Sequence, residues 1–194
     1  MTRIVSGFAG SLTLRVPKNG TRPTSDRVRE AIFSALDARD AITGLRVLDL
    51  YAGSGALGLE AASRGARVVT LVEKNQQAAT LCRANASAVA KAAPRTSAPQ
   101  ITVSGQSVQG FLDSTSAGFD LVFIDPPYEL SAEELAENLR ALAPLLHEEA
   151  IVMIERSSRS PEPEWPSGLE LDRRKDYGDT TLWWAHAAEA QPDA

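Results

Sequence analysis

The sequence predicts an α/β fold in which helices cover both faces of a mostly parallel β-sheet. From Leu45 onward, short apolar segments alternate with segments of helical periodicity, as in repeated strand–helix units. The apolar segments are typical of strands that are buried on both faces. The last two extended segments follow one another closely, which indicates an antiparallel pair that closes the sheet. We therefore expect one compact domain with a small appendage in this chain of 194 residues.

Residues 1–44 predict a small N-terminal extension. RIVSG and SLTLRV flank the turn Gly7–Gly10, which favours a β-hairpin. Thr24 or Ser25 can then cap a helix. The apolar positions of that helix have helical spacing: Val28, Ile32, Phe33 and Leu36.

Residues 45–186 predict the main domain, with a seven-stranded sheet whose last strand is antiparallel. The predicted parallel strands are RVLDLYA, ARVVTLVE, ITVSG, FDLVFID and EAIVMIER, and the closing pair is LELDRRKDYG and TTLWWAHA. The predicted helices are GALGLEAASRG, NQQAATLCRANASAVA, SVQGFLD and SAEELAENLRALAPLL. Ser131 and Glu134 have the spacing of a capping box at the start of the last helix. Residues 187–194 predict a disordered tail.

Charge is distributed unevenly along the chain. The net charge is −5, yet the first 30 residues carry six basic and two acidic side chains, for +4, which leaves −9 for the remainder. Such a basic arm can place a polyanion on one face, although a simple solvated surface explains it equally well. A single cysteine fits a reducing compartment. Without an apolar run of about 18 residues or a signal-peptide core, the sequence predicts a cytoplasmic protein.

The glycine-rich segment DLYAGSGALG predicts a nucleoside-binding turn. Gly53, Gly55 and Gly58 fit the pattern G-x-G-x-x-G between a strand and a helix. Glu73 ends the next strand, where its carboxylate can accept hydrogen bonds from ribose hydroxyls. These features alone fit a nicotinamide dinucleotide, S-adenosylmethionine, or a tight strand–helix turn without a ligand.

Asp49 favours S-adenosylmethionine over a dinucleotide. A dinucleotide places its pyrophosphate near the glycine turn, where an added negative charge is unfavourable. S-adenosylmethionine has no phosphate and carries an ammonium and a sulfonium, which a nearby carboxylate stabilises. The alternative is that backbone N–H groups of the turn satisfy Asp49.

The stretch FIDPPY predicts a binding site for an exocyclic amine. Asp125 and the carbonyl of Pro126 can accept hydrogen bonds from an NH₂ group, and the Pro126-Pro127 backbone holds them rigidly. Tyr128 can stack on a flat nucleobase. The alternative is a proline-rich surface turn with an acid and a tyrosine. Because the stretch ends a central strand after a glycine loop, methyl transfer to a nucleobase amine explains it better.

Three motifs together resemble a known family. LDLYAGSGALGLEA, LVEKN and FIDPPY are similar to class I methyltransferases that act on exocyclic amines. RIVSGFAG and RPTSDRVREAIFSAL narrow the resemblance to the bacterial enzymes that methylate N2 of a guanine in 16S ribosomal RNA, the RsmD family. The resemblance covers nearly the whole chain.

This resemblance implies a Rossmann-like methyltransferase fold, a monomer, and a substrate within the small ribosomal subunit or its late assembly intermediate. It implies that Asp49, Gly53, Gly55 and Glu73 hold S-adenosylmethionine. The residues that it assigns to the target amine are Asp125, Pro126, Pro127 and Tyr128. Those that it places in the N-terminal motif near the RNA are Arg22, Thr24 and Arg27.

One position departs from the family pattern. The family usually has an acid before the short helix that follows the third strand, where it can bind the adenine N6 group. VSGQSVQGFL instead offers Gln106 and Ser107 for that role. With two histidines and one cysteine in the chain, no metal site is expected.

Three other functions fit part of the sequence. A DNA amino-methyltransferase shares the D-P-P-Y chemistry, but residues 1–44 would then have to serve as its target-recognition region. A nicotinamide-dependent oxidoreductase leaves Asp125 and Tyr128 without a role. A non-catalytic RNA-binding or assembly factor is compatible with the missing acid beside Ser107.

Overall fold

The computed structural model describes residues 2–17 and 25–188. Its strands are β1 Thr2–Arg3, β2 Thr13–Leu14, β3 Arg46–Leu50, β4 Val68–Val72, β5 Gln100–Ser104, β6 Phe119–Ile124, β7 Leu146–Ser157, β8 Leu169–Tyr177 and β9 Thr180–Ala187. Its helices are α1 Asp26–Asp37, α2 Ala56–Ser63, α3 Gln76–Ala92, α4 Val108–Ser114 and α5 Ala132–Leu142, and α5 continues into a 3₁₀ turn at Ala143–Leu145.

A seven-stranded sheet with the strand order β5-β4-β3-β6-β7-β9-β8 forms the centre of the molecule. The strands β3 to β7 pair in parallel, and β9 is antiparallel to both of its neighbours. The chain returns to the middle of the sheet between β5 and β6, so β3 and β6 are adjacent at the point where the order reverses. This arrangement confirms the predicted α/β class, with a mostly parallel sheet and an antiparallel last strand.

Two hydrophobic clusters cover the two faces of the sheet. On the first face, α1, α2 and α3 pack on β3, β4 and β6, with Phe33 and Phe123 tilted against each other at 5.7 Å between ring centroids. On the second face, α4 and α5 pack on the same central strands. Trp183 joins the second cluster and its neighbour Trp184 the first, because successive side chains of β9 point to opposite faces.

The N-terminal extension is fixed on α2 rather than standing apart. The backbone amides of Val5 and Ser6 donate hydrogen bonds of 2.7 and 3.0 Å to the buried carboxylate of Glu60. A side chain at Gly7, which has φ +82°, would collide with the carbonyl of Ser63 at 1.8 Å. The backbone therefore lies directly on the helix. The hairpin strands β1 and β2 are two residues each, shorter than the flanking apolar segments suggest.

Side-chain caps fix the starts of the helices. Ser25 caps α1 by accepting a hydrogen bond from the Val28 amide, and the other predicted cap, Thr24, lies outside the described residues. The predicted capping box of Ser131 and Glu134 is present in both directions. Ala187, which the sequence assigned to the tail, belongs to β9, and residues 189–194 of the predicted tail lie outside the described part of the chain.

In the described part of the chain, no helix is both long enough and apolar enough to cross a membrane.

Candidate active site

The carboxyl ends of the central strands open into one cavity of about 460 Å³. The cavity is lined by residues from the ends of β3, β4, β6 and β7, together with residues of α1 and the loop after β3. Parallel α/β sheets place ligands at this edge, at the point where the strand order reverses. The residues predicted from three separate motifs therefore meet in one place: Asp49, Gly53, Glu73, Asp125, Pro126, Pro127 and Tyr128.

The loop after β3 has an unusual backbone that brings it close to the cavity. Tyr51, Gly53 and Gly55 all have positive φ, at +62°, +55° and +82°. Glycine adopts such angles without the steric cost that a side chain adds. The Gly55 amide donates a hydrogen bond of 2.7 Å to the Ala52 carbonyl, which closes the turn directly before α2. Gly53 and Gly55 thus adopt the shape of the turn without strain.

The third glycine of the motif has a different role. Gly58 lies inside α2, and a Cβ atom there would meet Leu71 at 2.3 Å and the Asp49 carboxylate at 3.1 Å. Only glycine allows α2 to lie this close to β3 and β4. The Gly58 amide donates a hydrogen bond of 2.8 Å to the carboxylate of Asp49.

Asp49 is buried, with 1% of its surface exposed, although it lines the cavity. Burial raises the pKa of its carboxyl to about 7, the Gly58 hydrogen bond opposes this, and the charges of Asp125 and Glu73 add to it. Both interpretations of the sequence therefore apply to Asp49: a backbone amide satisfies it, and it borders the cavity. A cation entering the cavity would favour its ionised form.

Glu73 joins the glycine loop to the start of α3. Its two carboxylate oxygens accept hydrogen bonds from the amides of Gly53, at 2.9 Å, and Asn75, at 2.7 Å. Asn75 in turn caps α3 by accepting from the amides of Gln77 and Ala78. Each carboxylate oxygen has a second lone pair. The side chain can therefore hold the loop and still accept hydrogen bonds from a ligand in the cavity.

The D-P-P-Y stretch leaves β6 beside the end of β3. The Asp125 amide lies 3.5 Å from the Leu50 carbonyl, which continues the pairing of the two strands by one residue. The turn closes where the Leu130 amide donates to the Pro127 carbonyl at 3.0 Å. Tyr128 is 67% exposed, which is uncommon for so large an aromatic side chain in this molecule. Its ring is accessible to a planar ligand at the mouth of the cavity.

A polar network supports this wall of the cavity from the second face. The Tyr51 hydroxyl donates a hydrogen bond to the Asn138 side chain of α5. Asn138 donates to Gln109 of α4 at 2.8 Å, and Arg156 donates to the Leu130 carbonyl at 3.0 Å. The loop after β3 is thus held to α4 and α5, and the loop after β6 is held to β7. The glycine motif did not predict this role of Tyr51, although Tyr51 lies two residues before Gly53, the first glycine of the motif.

Arg29 is a further cavity residue that the motifs did not identify. Its side chain is buried and donates hydrogen bonds to the Arg3 carbonyl at 2.8 Å and to Asp26 at 2.9 Å. Its Nε has no hydrogen-bond partner within residues 2–17 and 25–188. Other lining residues outside the predicted set include Lys74, Glu155, Arg156 and Thr180. Only the assembled fold brings these positions together.

The remaining predicted site residues lie elsewhere or outside the described part of the chain. Ser107 caps α4 by accepting from the Gly110 amide at 3.1 Å, and the Gln106 side chain accepts from the Ser104 hydroxyl at 3.0 Å. Val108 is the α4 residue that lines the cavity. Arg27 is exposed on α1. Arg22 and Thr24 lie outside the described residues.

Comparison with known proteins identifies the family. A family model described as "Conserved hypothetical protein 95" matches residues 2–186. The ribosomal RNA small subunit methyltransferase D of Escherichia coli strain K12 is 33% identical over 194 residues, which cover 99% of this chain and 93% of that protein. The chain belongs to this family.

Other similar proteins support the same family assignment. The protein of the same name from Haemophilus influenzae is 34% identical over 82% of this chain and 80% of its own length. The solved structure of Escherichia coli yhhF superimposes with a TM-score of 0.80 at 32% identity, over 95% of this chain and 97% of the other. A more distant structure, the magnesium protoporphyrin IX methyltransferase from Synechocystis, has a TM-score of 0.64 at 15% identity and shows the shared fold alone.

The cavity fits the cofactor that this methyltransferase family implies. The positive-φ turn at Gly53 and Gly55 leaves backbone close to the cavity, and carboxylates suited to ribose hydroxyls and to cations line it. A cavity of about 460 Å³ is in the range of small-molecule sites, about 300–1,000 Å³. The chemistry and size of the site therefore agree with S-adenosylmethionine.

Proposed function

We propose that the protein transfers a methyl group from S-adenosylmethionine to the exocyclic N2 of a guanine in 16S ribosomal RNA. One observation carries the proposal: Asp125, Pro126, Pro127 and Tyr128 line the same cavity as the glycine loop and Glu73. A methyl donor and an amine acceptor must share one space for direct transfer. Membership of the small-subunit rRNA methyltransferase D family supports the choice of RNA.

On the cofactor side, we assign Gly53, Gly55 and Glu73 to the adenosine moiety and Asp49 to the cationic end. Glu73 accepts hydrogen bonds from ribose hydroxyls with the lone pairs that the Gly53 and Asn75 amides leave available. Asp49 ionises next to a cation, because the attraction offsets the burial that raises its pKa. Gln106 and Ser107 lie on the segment leading into α4, from which they would approach the adenine ring.

On the acceptor side, Asp125 and the Pro126 carbonyl accept hydrogen bonds from the amine of the target base. These acceptors favour a pyramidal nitrogen whose lone pair is directed at the methyl group. Pro126 and Pro127 keep the two acceptors fixed, and Tyr128 stacks on the base. The base is turned out of its stack to reach them.

When bound, the cofactor would supply an electrophilic methyl group on its sulfonium, so transfer to N2 would break the sulfur–methyl bond as the N2–methyl bond forms. The alkylated nitrogen becomes acidic and loses one proton afterwards, to Asp125 or to water. Asp125 therefore orients the amine during transfer, and no earlier deprotonation is needed.

The RNA is assigned to the side of the N-terminal extension. We propose residues 1–44 as the RNA-facing part and residues 45–186 as the methyltransferase domain, acting as a cytoplasmic monomer. Arg22, Thr24 and Arg27 would contact the RNA near the cavity entrance, and exposed Arg27 on α1 is accessible for this. The preferred substrate is the small subunit or its late assembly intermediate, in which the target guanine is presented by folded RNA.

Label transfer tests this function. Small subunits from cells that lack the gene are incubated with the protein and radiolabelled S-adenosylmethionine, and the RNA is digested to nucleosides. We expect label in N2-methylguanosine and in no other nucleoside. Label only in a parallel DNA substrate would overturn the RNA assignment. An unlabelled subunit, with cofactor binding intact, would favour a non-catalytic role in assembly.

A further inference from the structure

A second carboxylate lies beside Asp125 in the acceptor half of the cavity. Ile124 of β6 pairs in parallel with Ile154 of β7, so Asp125, which follows β6 directly, lies next to Glu155, which is still within β7. Neighbouring strands are separated by about 4.8 Å. Asp125 and Glu155 both line the cavity. The proposed transfer uses only the first of these two acids.

Side-chain alternation indicates that the two carboxylates lie on the same side of the sheet. Phe123 and Met153 belong to the cluster of the first face, whereas Ile124 and Ile154 belong to that of the second. Asp125 and Glu155 come next in this alternation, so both are directed to the first face. Glu155 is half-buried and opposes Leu182 of the antiparallel strand β9, which fixes its backbone from the other side.

Two adjacent acceptors match the edge of guanine. Guanine presents two neighbouring donors, the N2 amine and N1–H. A purine whose N1 carries no proton presents an acceptor there, and a carboxylate opposite an acceptor is repelled. Sites that hydrogen-bond one pattern of donors reject the opposite pattern strongly, because their polar groups are left unpaired. Asp125 and Glu155 are thus complementary to guanine and to few other bases.

We propose that Glu155 is the residue that selects guanine, by accepting a hydrogen bond from N1–H while Asp125 holds the N2 amine. This inference rests on the proposed function. Asp125 and Glu155 also interact with other groups of the protein. A carboxylate has about four acceptor positions, so Glu155 can hold a protein donor and a base donor together.

Exchange of donor and acceptor tests this role. Small subunits are reconstituted with guanine or with 2-aminopurine at the target position, since 2-aminopurine keeps the N2 amine but has an unprotonated N1. Wild type, Glu155→Gln and Glu155→Ala are compared by kcat/KM for both substrates. Glu164→Gln, on the exposed loop before β8, is the matched control. Cofactor affinity and thermal unfolding show whether each variant is intact.

We expect wild type and Glu164→Gln to prefer guanine by roughly 100-fold or more, since the unprotonated N1 faces a carboxylate. Glu155→Gln should narrow this preference by at least about tenfold, because its amide can donate to N1 of 2-aminopurine. Glu155→Ala should lose activity on guanine and should not gain activity on 2-aminopurine. An unchanged preference in both variants, with N2-methylguanosine formed by wild type, overturns the role of Glu155 alone. No N2-methylguanosine with wild type overturns the proposed function, and the role of Glu155 with it.

Discussion

The backbone amide of Gly58 donates a hydrogen bond of 2.8 Å to the buried carboxylate of Asp49. This bond joins the first turns of α2 to the central strand β3 and fixes an acid at the wall of the cavity. It depends on a close approach that a side chain at position 58 would prevent. The same contact therefore affects packing, the ionisation of Asp49 and the shape of the proposed cofactor site.

Gly58→Ala should destabilise the protein although alanine is the better helix former. The new Cβ atom would lie 2.3 Å from Leu71, and overpacking of a buried site costs about 1–3 kcal/mol. This exceeds the gain of about 1 kcal/mol in helix propensity. Chemical denaturation measures the difference. Gly105→Ala is the control, because its Cβ atom would meet only the end of the Arg83 side chain, at 3.3 Å. Equal stability of both variants would contradict the close packing of α2.

Asp49 should make the stability of the protein fall as the pH rises. Burial raises the pKa of this carboxyl from 3.8 to about 7, so between these values the folded protein keeps a proton that the unfolded chain loses. The free energy of unfolding of wild type should fall from about pH 4 to about pH 7, relative to Asp49→Asn, by on the order of 4 kcal/mol. Denaturation of both proteins at a series of pH values measures this. If the difference in unfolding free energy between wild type and Asp49→Asn does not change with pH, the pKa of Asp49 is not raised.

The affinity for S-adenosylmethionine should depend on the same proton. A cationic ligand favours the ionised carboxylate, so wild type should bind it more tightly at pH 8 than at pH 6. Asp49→Asn should bind it more weakly and with less pH dependence. Calorimetric titration at the two pH values compares them. Parallel pH dependence in the two proteins would assign the titration to another group.

Tyr128 should contribute to binding of the target base and not to the stability of the protein. Its side chain is 67% exposed, so Tyr128→Ala should change stability by less than about 0.5 kcal/mol. Loss of stacking on the target base, worth about 1–3 kcal/mol, should lower kcat/KM by about 10- to 100-fold. Tyr128→Phe keeps the ring and should stay near wild type. If Phe lowers activity as much as Ala, the hydroxyl rather than stacking would be the functional group.

Glu60 should hold the N-terminal extension in place. Its buried carboxylate accepts hydrogen bonds from the amides of Val5 and Ser6 and from Arg64. Glu60→Ala leaves these donors unpaired and should destabilise the protein by about 3–5 kcal/mol. Asp37→Ala removes a half-exposed partner of the same Arg64 and should cost about 1 kcal/mol or less. Denaturation measures the stability of both variants. Similar losses of stability in Glu60→Ala and Asp37→Ala would contradict the anchoring role of Glu60.

Local patterns in the sequence predicted most of the sheet and seven of the residues that line the cavity. Strand–helix alternation predicted the order of elements, and the glycines predicted the turn, because both depend on neighbouring residues. The motifs could not predict that Arg29 and Glu155 line the same cavity as Asp125. That proximity depends on how α1 packs on the sheet and on the register of β6 with β7. Gly58 was predicted as part of a binding motif, whereas its contacts show a packing role.

The most direct test of the central claim compares wild type with Asp125→Ala in cofactor binding and in methyl transfer to small subunits. We expect the cofactor affinity of Asp125→Ala to lie within a few-fold of wild type, because we assign that binding to the glycine loop, Asp49 and Glu73. N2-methylguanosine formation should fall by about 100-fold or more, since the amine loses a fixed acceptor. Methyl transfer at the wild-type rate by Asp125→Ala would show that Asp125 does not hold the target amine.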